Sequence, residues 1–148
     1  MAVRITDADE SQLADIERIE NLCFSVPWTR QQIISQLPDD NHVFIAAVDG
    51  DGRVLGYVNA AVAVDEGYIS NVAVAPEQRR QGIGDALIGE MRARAERLGL
   101  AFVTLEVRAS NAAARALYKK HGYTDVGTRK NYYEKPREDA ILMTLFLK

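Results

Sequence analysis

Between Ile83 and Leu98 the apolar residues Ile83, Leu87, Ile88, Met91, Ala95 and Leu98 recur at helical spacing, with Glu90, Arg94 and Arg97 on the opposite side. Such a helix must lay one face on a core and show the other to water, so it demands a partner layer. Gly99 ends it. Upstream, residues 67–74 read as a strand, and Arg79, Arg80, Gln81, Gly82 and Gly84 lie between that strand and the helix. Strand, glycine turn and helix start, in that order, restrict the chain to an α/β arrangement. They also bring the unpaired N–H groups of a helix N-terminus, with about half a positive charge, beside two arginines and two positions without a side chain. That combination is a seat for a phosphate or pyrophosphate.

The rest of the chain supplies a sheet and its covering helices. Residues 3–5 read as a short strand. Residues 7–23 read as a helix with Leu13, Ile16, Ile19 and Leu22 on its buried stripe. Pro27 interrupts, and Thr29 caps a short helix carrying Ile33, Ile34 and Leu37. Two strands, 42–48 and 54–64, flank Asp49-Gly50-Asp51-Gly52, a hairpin turn whose residues supply positive φ cheaply. A strand over 101–107, a helix over 111–121 stopped by Gly122, and strands over 123–133 and 140–147 follow. The last is apolar on both faces, which places it inside the sheet. With no repeat and no linker, residues 1–148 are expected to form one mixed α/β domain.

Charge and cysteine content narrow the partners. A net charge of −3 and a pI near 5.4 argue against a general nucleic-acid binder. No apolar run is long enough to span a membrane, and acidic Asp7 arrives too early for a secretory apolar core. One cysteine, Cys23, excludes an internal disulfide and points to a cytoplasmic protein; the residue itself reads as a small buried hydrophobe. His42 and His121 lack ligand spacing, and the helix dipole accounts for His121, so no metal is expected.

Three phosphate-binding patterns compete for the glycine turn. A Walker loop needs Lys and Ser/Thr after its last glycine, where Asp85 and Ala86 stand. A dinucleotide fingerprint needs a small residue at Leu87 and its first glycine directly after the strand, whereas residues 75–81 intervene. The third pattern, Arg/Gln-x-x-Gly-x-Gly/Ala, fits Arg79, Gly82 and Gly84. Read alone, the hexapeptide is equally a glycine-softened helix start with surface arginines. The stretch from Ile69 through Ala75-Pro76-Glu77-Gln78 to Gly84, however, resembles GNAT acetyltransferases throughout. So do Leu105-Glu106-Val107-Arg108-Ala109-Ser110-Asn111, Leu117-Tyr118, Gly122-Tyr123, Asn131-Tyr132-Tyr133 and Glu138-Asp139-Ala140. Together with Cys23-Phe24-Ser25-Val26-Pro27-Trp28, the set is similar to the RimI branch, which acetylates the N-terminal alanine of protein eighteen of the small ribosomal subunit.

That resemblance implies the GNAT fold: a single mixed, mostly antiparallel sheet flanked by helices on both faces. It implies acetyl-CoA as co-substrate, held by Arg79, Arg80, Gln81, Gly82, Ile83, Gly84 and Asp85, with Asn111 and Tyr118 contributing. It further implies that the backbone of Val72, Ala73 and Val74 pairs with the pantetheine amides and polarises the thioester. Glu106 is implied as general base, working through a water, and Tyr118 as the acid that protonates the CoA sulfur. Tyr132 and Tyr133 are implied to border the peptide channel. Read by their residues alone, Glu106 is a strand carboxylate beside Thr104 and Arg108, Tyr118 a core aromatic, and Asn111 a helix cap. The expected partner is the N-terminus of a ribosomal protein, met by a monomer. A same-fold enzyme acting on lysine or a small amine, and a non-catalytic acyl-CoA-binding module, are the alternatives.

Overall fold

The computed structural model describes residues 2–148. Seven strands form one sheet: β1 (Arg4–Asp7), β2 (His42–Val48), β3 (Val54–Ala63), β4 (Glu66–Val74), β5 (Phe102–Arg108), β6 (Thr124–Glu134) and β7 (Arg137–Phe146). They lie in the order β1-β2-β3-β4-β5-β7-β6. Every neighbouring pair is antiparallel except β4 and β5. The helices are α1 (Leu13–Cys23), α2 (Arg30–Ser35), α3 (Ile83–Arg97) and α4 (Ala112–Lys120).

The two faces carry separate cores. On one, Ile83, Leu87, Ile88 and Met91 of α3 and Tyr118 of α4 pack against Ile45, Leu55, Val103, Leu105 and Met143. On the other, Ile16 and Ile19 of α1 and Ile33 of α2 pack against Phe44, Val48, Tyr57 and Ala73. Helices therefore cover both faces, as expected. Yet α1 and α2 extend only over the β2–β4 half, and β6 is exposed along almost its whole length. The β5–β7 half of that second face stands open.

Several local expectations shift. The helix expected over 7–23 begins only at Leu13, after β1 and a 3-10 turn, Glu10–Gln12. The Asp9 carboxylate accepts from the Ser11 N–H at 2.9 Å while Gln12 bonds back to the Asp9 N–H, and this local cap competes with an earlier start. Leu22 and Leu98, assigned to buried stripes, are 55% and 56% exposed. Each lies at the end of its helix, past the sheet that covers the stripe. In place of Leu22, α1 buries Glu20. The Asp49–Gly52 turn forms as expected, with Gly52 at φ +83° and Asp49 accepting from Asp51 and Arg53. The final strand starts at Arg137 and sits inside the sheet between β5 and β6.

The parallel pair β4/β5 is short. Only Glu66–Tyr68 of β4 pairs, against Phe102–Thr104 of β5. Beyond Tyr68 the register between β3 and β4 slips, because Asn59 opposes Asn71 while Ala60 opposes Ile69, leaving Ser70 as an extra residue. Such a bulge bends its strand. β5 meanwhile stays paired with β7 through Arg108. The two strands diverge into a cleft, and residues 69–74 keep one backbone edge unpaired toward it.

Candidate active site

One end of the cleft lies at the N-terminus of α3. Gly82 is the N-cap at φ +79° and offers no capping side chain, so the first-turn N–H groups remain free for an anion. A Cβ at Gly82 would meet nothing within 4 Å; its glycine is required by φ rather than by crowding. Gly84 differs, since a Cβ there would stand 3.3 Å from Leu117 Cδ2, and its bareness lets α4 pack against α3. Arg80 holds a left-handed φ of +65°, and Arg80 and Gln81 are exposed beside the turn.

The side chains of Arg79 and Asp85 make contacts away from the turn. The Arg79 guanidinium donates to the Val74 carbonyl at 3.3 Å and to Cys23 Sγ at 3.5 Å. Cys23 is thus a half-buried neighbour of the end of β4 rather than a core hydrophobe, and burial pushes its thiol upward. Asp85 turns its carboxylate to α4, 2.8 Å from Lys120 Nζ and 2.9 Å from His121 Nε2. Those two groups hold it below the usual carboxylate range. His121 has a specific partner here beyond the helix dipole.

Tyr118 and Asn111 occupy α4. Asn111 is the N-cap, accepting from the Ala114 N–H at 3.1 Å. Tyr118 is buried with its ring 5.9 Å from that of Tyr123. Burial first, and the neighbouring Tyr133 second, push its hydroxyl upward, so it stays protonated.

Glu106 lies on the open half-face. Val103, Leu105 and Val107 of β5 point into the α3 core, so Glu106 points the other way. Its side chain is only 6% exposed, because side chains rather than a helix cover it. Tyr68 of β4 donates its hydroxyl to Oε2, and Arg129 Nε of β6 lies 3.0 Å from Oε1. Burial and this bond keep the Tyr68 phenol protonated. Tyr132 and Tyr133 meet edge to face at 5.1 Å, and the Arg108 guanidinium sits 4.3 Å over the Tyr133 ring. Burial raises the Tyr133 hydroxyl to about 12. The aiming device is a break in β6. Residues 130–132 lose register with β7, and Asn131 takes φ +53° with its N–H held by Asp139 at 2.8 Å. Asparagine tolerates that left-handed geometry better than most residues.

Sequence reasoning passed over Tyr68, Arg129 and Glu20. Glu20 is 1% exposed and accepts from the Tyr57 hydroxyl, from Asn71 Nδ2 at 3.0 Å and from the Trp28 N–H at 2.8 Å. It therefore ties the bulged part of β4 to α1 and to the loop before α2. Its position four residues after Ile16, on the apolar stripe, was the available signal. Tyr68 and Arg129 carried none, since they reach Glu106 only through sheet order.

A single sheet that opens between β4 and β5 beside a glycine-capped helix start defines a class of α/β fold, and comparison with known proteins fixes which. The acetyltransferase (GNAT) family matches residues 13–123, and this chain belongs to it. Among its relatives is the ribosomal protein bS18-alanine N-acetyltransferase of Escherichia coli strain K12, 35% identical over 143 residues, covering 95% of both chains. The corresponding enzyme of Haemophilus influenzae is 31% identical over 147 residues and covers 97% of both. The crystal structure of the Escherichia coli ribosomal-protein-S18-alanine N-acetyltransferase superposes with a TM-score of 0.91 at 33% identity, covering 99% of this chain and 95% of the other. The resemblance to the RimI branch thus extends over nearly the whole chain.

Proposed function

We propose that this protein transfers acetyl from acetyl-CoA to the α-amino group of a protein N-terminus, most specifically the N-terminal alanine of ribosomal protein eighteen of the small subunit. The observation that carries the reading is the pairing of a near-buried carboxylate, Glu106, with the unpaired edge of β4 at the mouth of one cleft. The relatives that act on ribosomal protein bS18 supply the substrate.

The chemistry follows from the groups in place. The pyrophosphate sits on the first-turn N–H groups of α3, with Arg80 and Gln81 beside it. Pantetheine amides pair with residues 72–74 as a further strand would. Glu106 accepts, through a water, the proton of the incoming α-ammonium. That deprotonation costs about 1 kcal/mol at pH 7, against roughly 4–5 kcal/mol for a lysine. The neutral nitrogen attacks the thioester carbonyl, and backbone N–H groups at the end of β4 receive the developing oxyanion. The C–S bond then breaks. The nitrogen sheds its second proton, and Tyr118 donates one to the CoA sulfur and is reprotonated in turn. Overall, ammonium and thioester become amide, thiol and one released proton.

The test offers acetyl-CoA with two short peptides, one with a free N-terminal Ala and one N-blocked but carrying lysine. Turnover of the first is expected. Preference for the blocked peptide would move the substrate to lysine and leave the fold unaffected.

A further inference from the structure

Glu106 is covered by two groups of different character. The Tyr68 hydroxyl occupies Oε2 from the neighbouring β4, inside the sheet frame. Oε1 is held by Arg129, whose side chain is 55% exposed and reaches over from β6 at the sheet edge. The route is short. In register, Arg108 of β5, Ala140 of β7 and Arg129 of β6 form one row, and Glu106, Leu142 and Gly127 form the next. Ala140 is small, and Gly127 has open space where a side chain would be, so the guanidinium crosses β7 unobstructed. Arg108 cannot take its place, because its own guanidinium is spent on Glu138 and on the carbonyls of Lys135 and Pro136.

A guanidinium has only donors and never loses its proton at neutral pH. While Arg129 holds Oε1, its fixed positive charge stands where a second cation would have to approach that oxygen. Arg129, its side chain 55% exposed at the sheet edge, can turn into solvent once another cation compensates the near-buried carboxylate in its place. We infer that Arg129 is a placeholder cation: it holds on Glu106 the oxygen that the substrate's α-ammonium engages through the bridging water, and the peptide must displace it to bind. Tyr68 keeps the carboxylate aimed while the cations exchange. An amine arriving uncharged has nothing with which to replace Arg129, so the site selects for a cationic N-terminus. This inference rests on the reading of Glu106 as the base, but its test does not need turnover.

The experiment measures equilibrium binding, by calorimetry on the CoA-loaded protein, of a short peptide with a free N-terminal Ala and of its N-acetylated form. Arg129→Met is expected to tighten the free-amine peptide by roughly threefold to fivefold and to leave the acetylated one unchanged. Arg129→Lys, which retains a cation, is expected to stay at the wild-type value. In a Glu106→Gln background Arg129→Met should lose its effect, because no carboxylate remains to be contested. Unchanged or weaker binding of the free-amine peptide to Arg129→Met overturns the placeholder role, as does equal tightening of the acetylated peptide or a Lys variant that behaves like Met. Failure of the base assignment shows separately, as undiminished kcat of Glu106→Gln.

Discussion

Glu20 offers the sharpest quantitative test of how the cleft is held open. It is a carboxylate 1% exposed beneath the bulged part of β4, and three donors converge on it: the Tyr57 hydroxyl, Asn71 Nδ2 and the Trp28 N–H. Glu20→Ala strips all three of their acceptor. The Tyr57 side chain is fully buried, so its hydroxyl has no water to turn to, a loss of about 1–3 kcal/mol. Asn71 and Trp28 are half-buried and recover part of theirs from solvent, at about 1 kcal/mol each. The sum is roughly 3–5 kcal/mol, a large share of an ordinary domain's stability. At about 3 °C per kcal/mol for a chain of this size, Tm should fall by about 10–15 °C. Because Asn71 loses its anchor next to the Ser70 bulge, the KM for acetyl-CoA should rise as well. Urea unfolding and thermal melts measure the first effect, and initial rates the second. Tyr57→Phe removes one donor together with its need, and in a double-mutant cycle it should couple to Glu20→Ala by about 1–2 kcal/mol. A Glu20→Ala loss below about 1 kcal/mol, or strict additivity with Tyr57→Phe, would refute the view that this network fixes β4.

Glu106→Gln and Tyr118→Phe should each lower kcat by about 100- to 10,000-fold while acetyl-CoA still binds; full activity in both would sink the acid–base assignment. Gly82→Ala has room for its methyl group but must hold φ +79°, so a stability loss of about 1–2 kcal/mol and weaker CoA binding are expected, read by melts and calorimetry. Gly56→Ala places a Cβ 2.7 Å from the Ala73 carbonyl oxygen, which forces β3 and β4 apart and should cost about 1–3 kcal/mol by urea titration. Asp85 is held below its ordinary pKa by Lys120 and then His121, so its contribution to stability is present above pH about 4 and is lost as pH falls further. The gap in Tm between the wild type and Asp85→Asn should accordingly close between about pH 5 and pH 2; a gap constant over that range would contradict the ion-pair account.

The distance between what was legible in the chain and what was not follows from the range of the interactions involved. Apolar spacing from Ile83 to Ala95, the Gly82 turn, the Thr29 cap and the Asp49–Gly52 hairpin are all local, so each was readable as a pattern within a few residues. The helix stop at Gly99 and the cap at Asn111 were legible for the same reason. Local reading failed at helix ends, where Leu22 and Leu98 keep the period but outrun the sheet that would bury them.

By itself, then, the sequence determined the elements, their order, the glycine turn before α3 and the identity of Glu106 and Tyr118 as candidates. Tertiary structure alone decided what surrounds them. β7 inserts between β5 and β6, which brings Arg129 across Ala140 to Glu106, and the short parallel pairing of β4 with β5 brings Tyr68 to the same carboxylate. The Ser70 bulge and the buried Glu20 then decide that β4 and β5 part beyond Tyr68. These contacts join residues far apart in the chain through strand register, and register is a property of the assembled sheet that no short window of sequence contains.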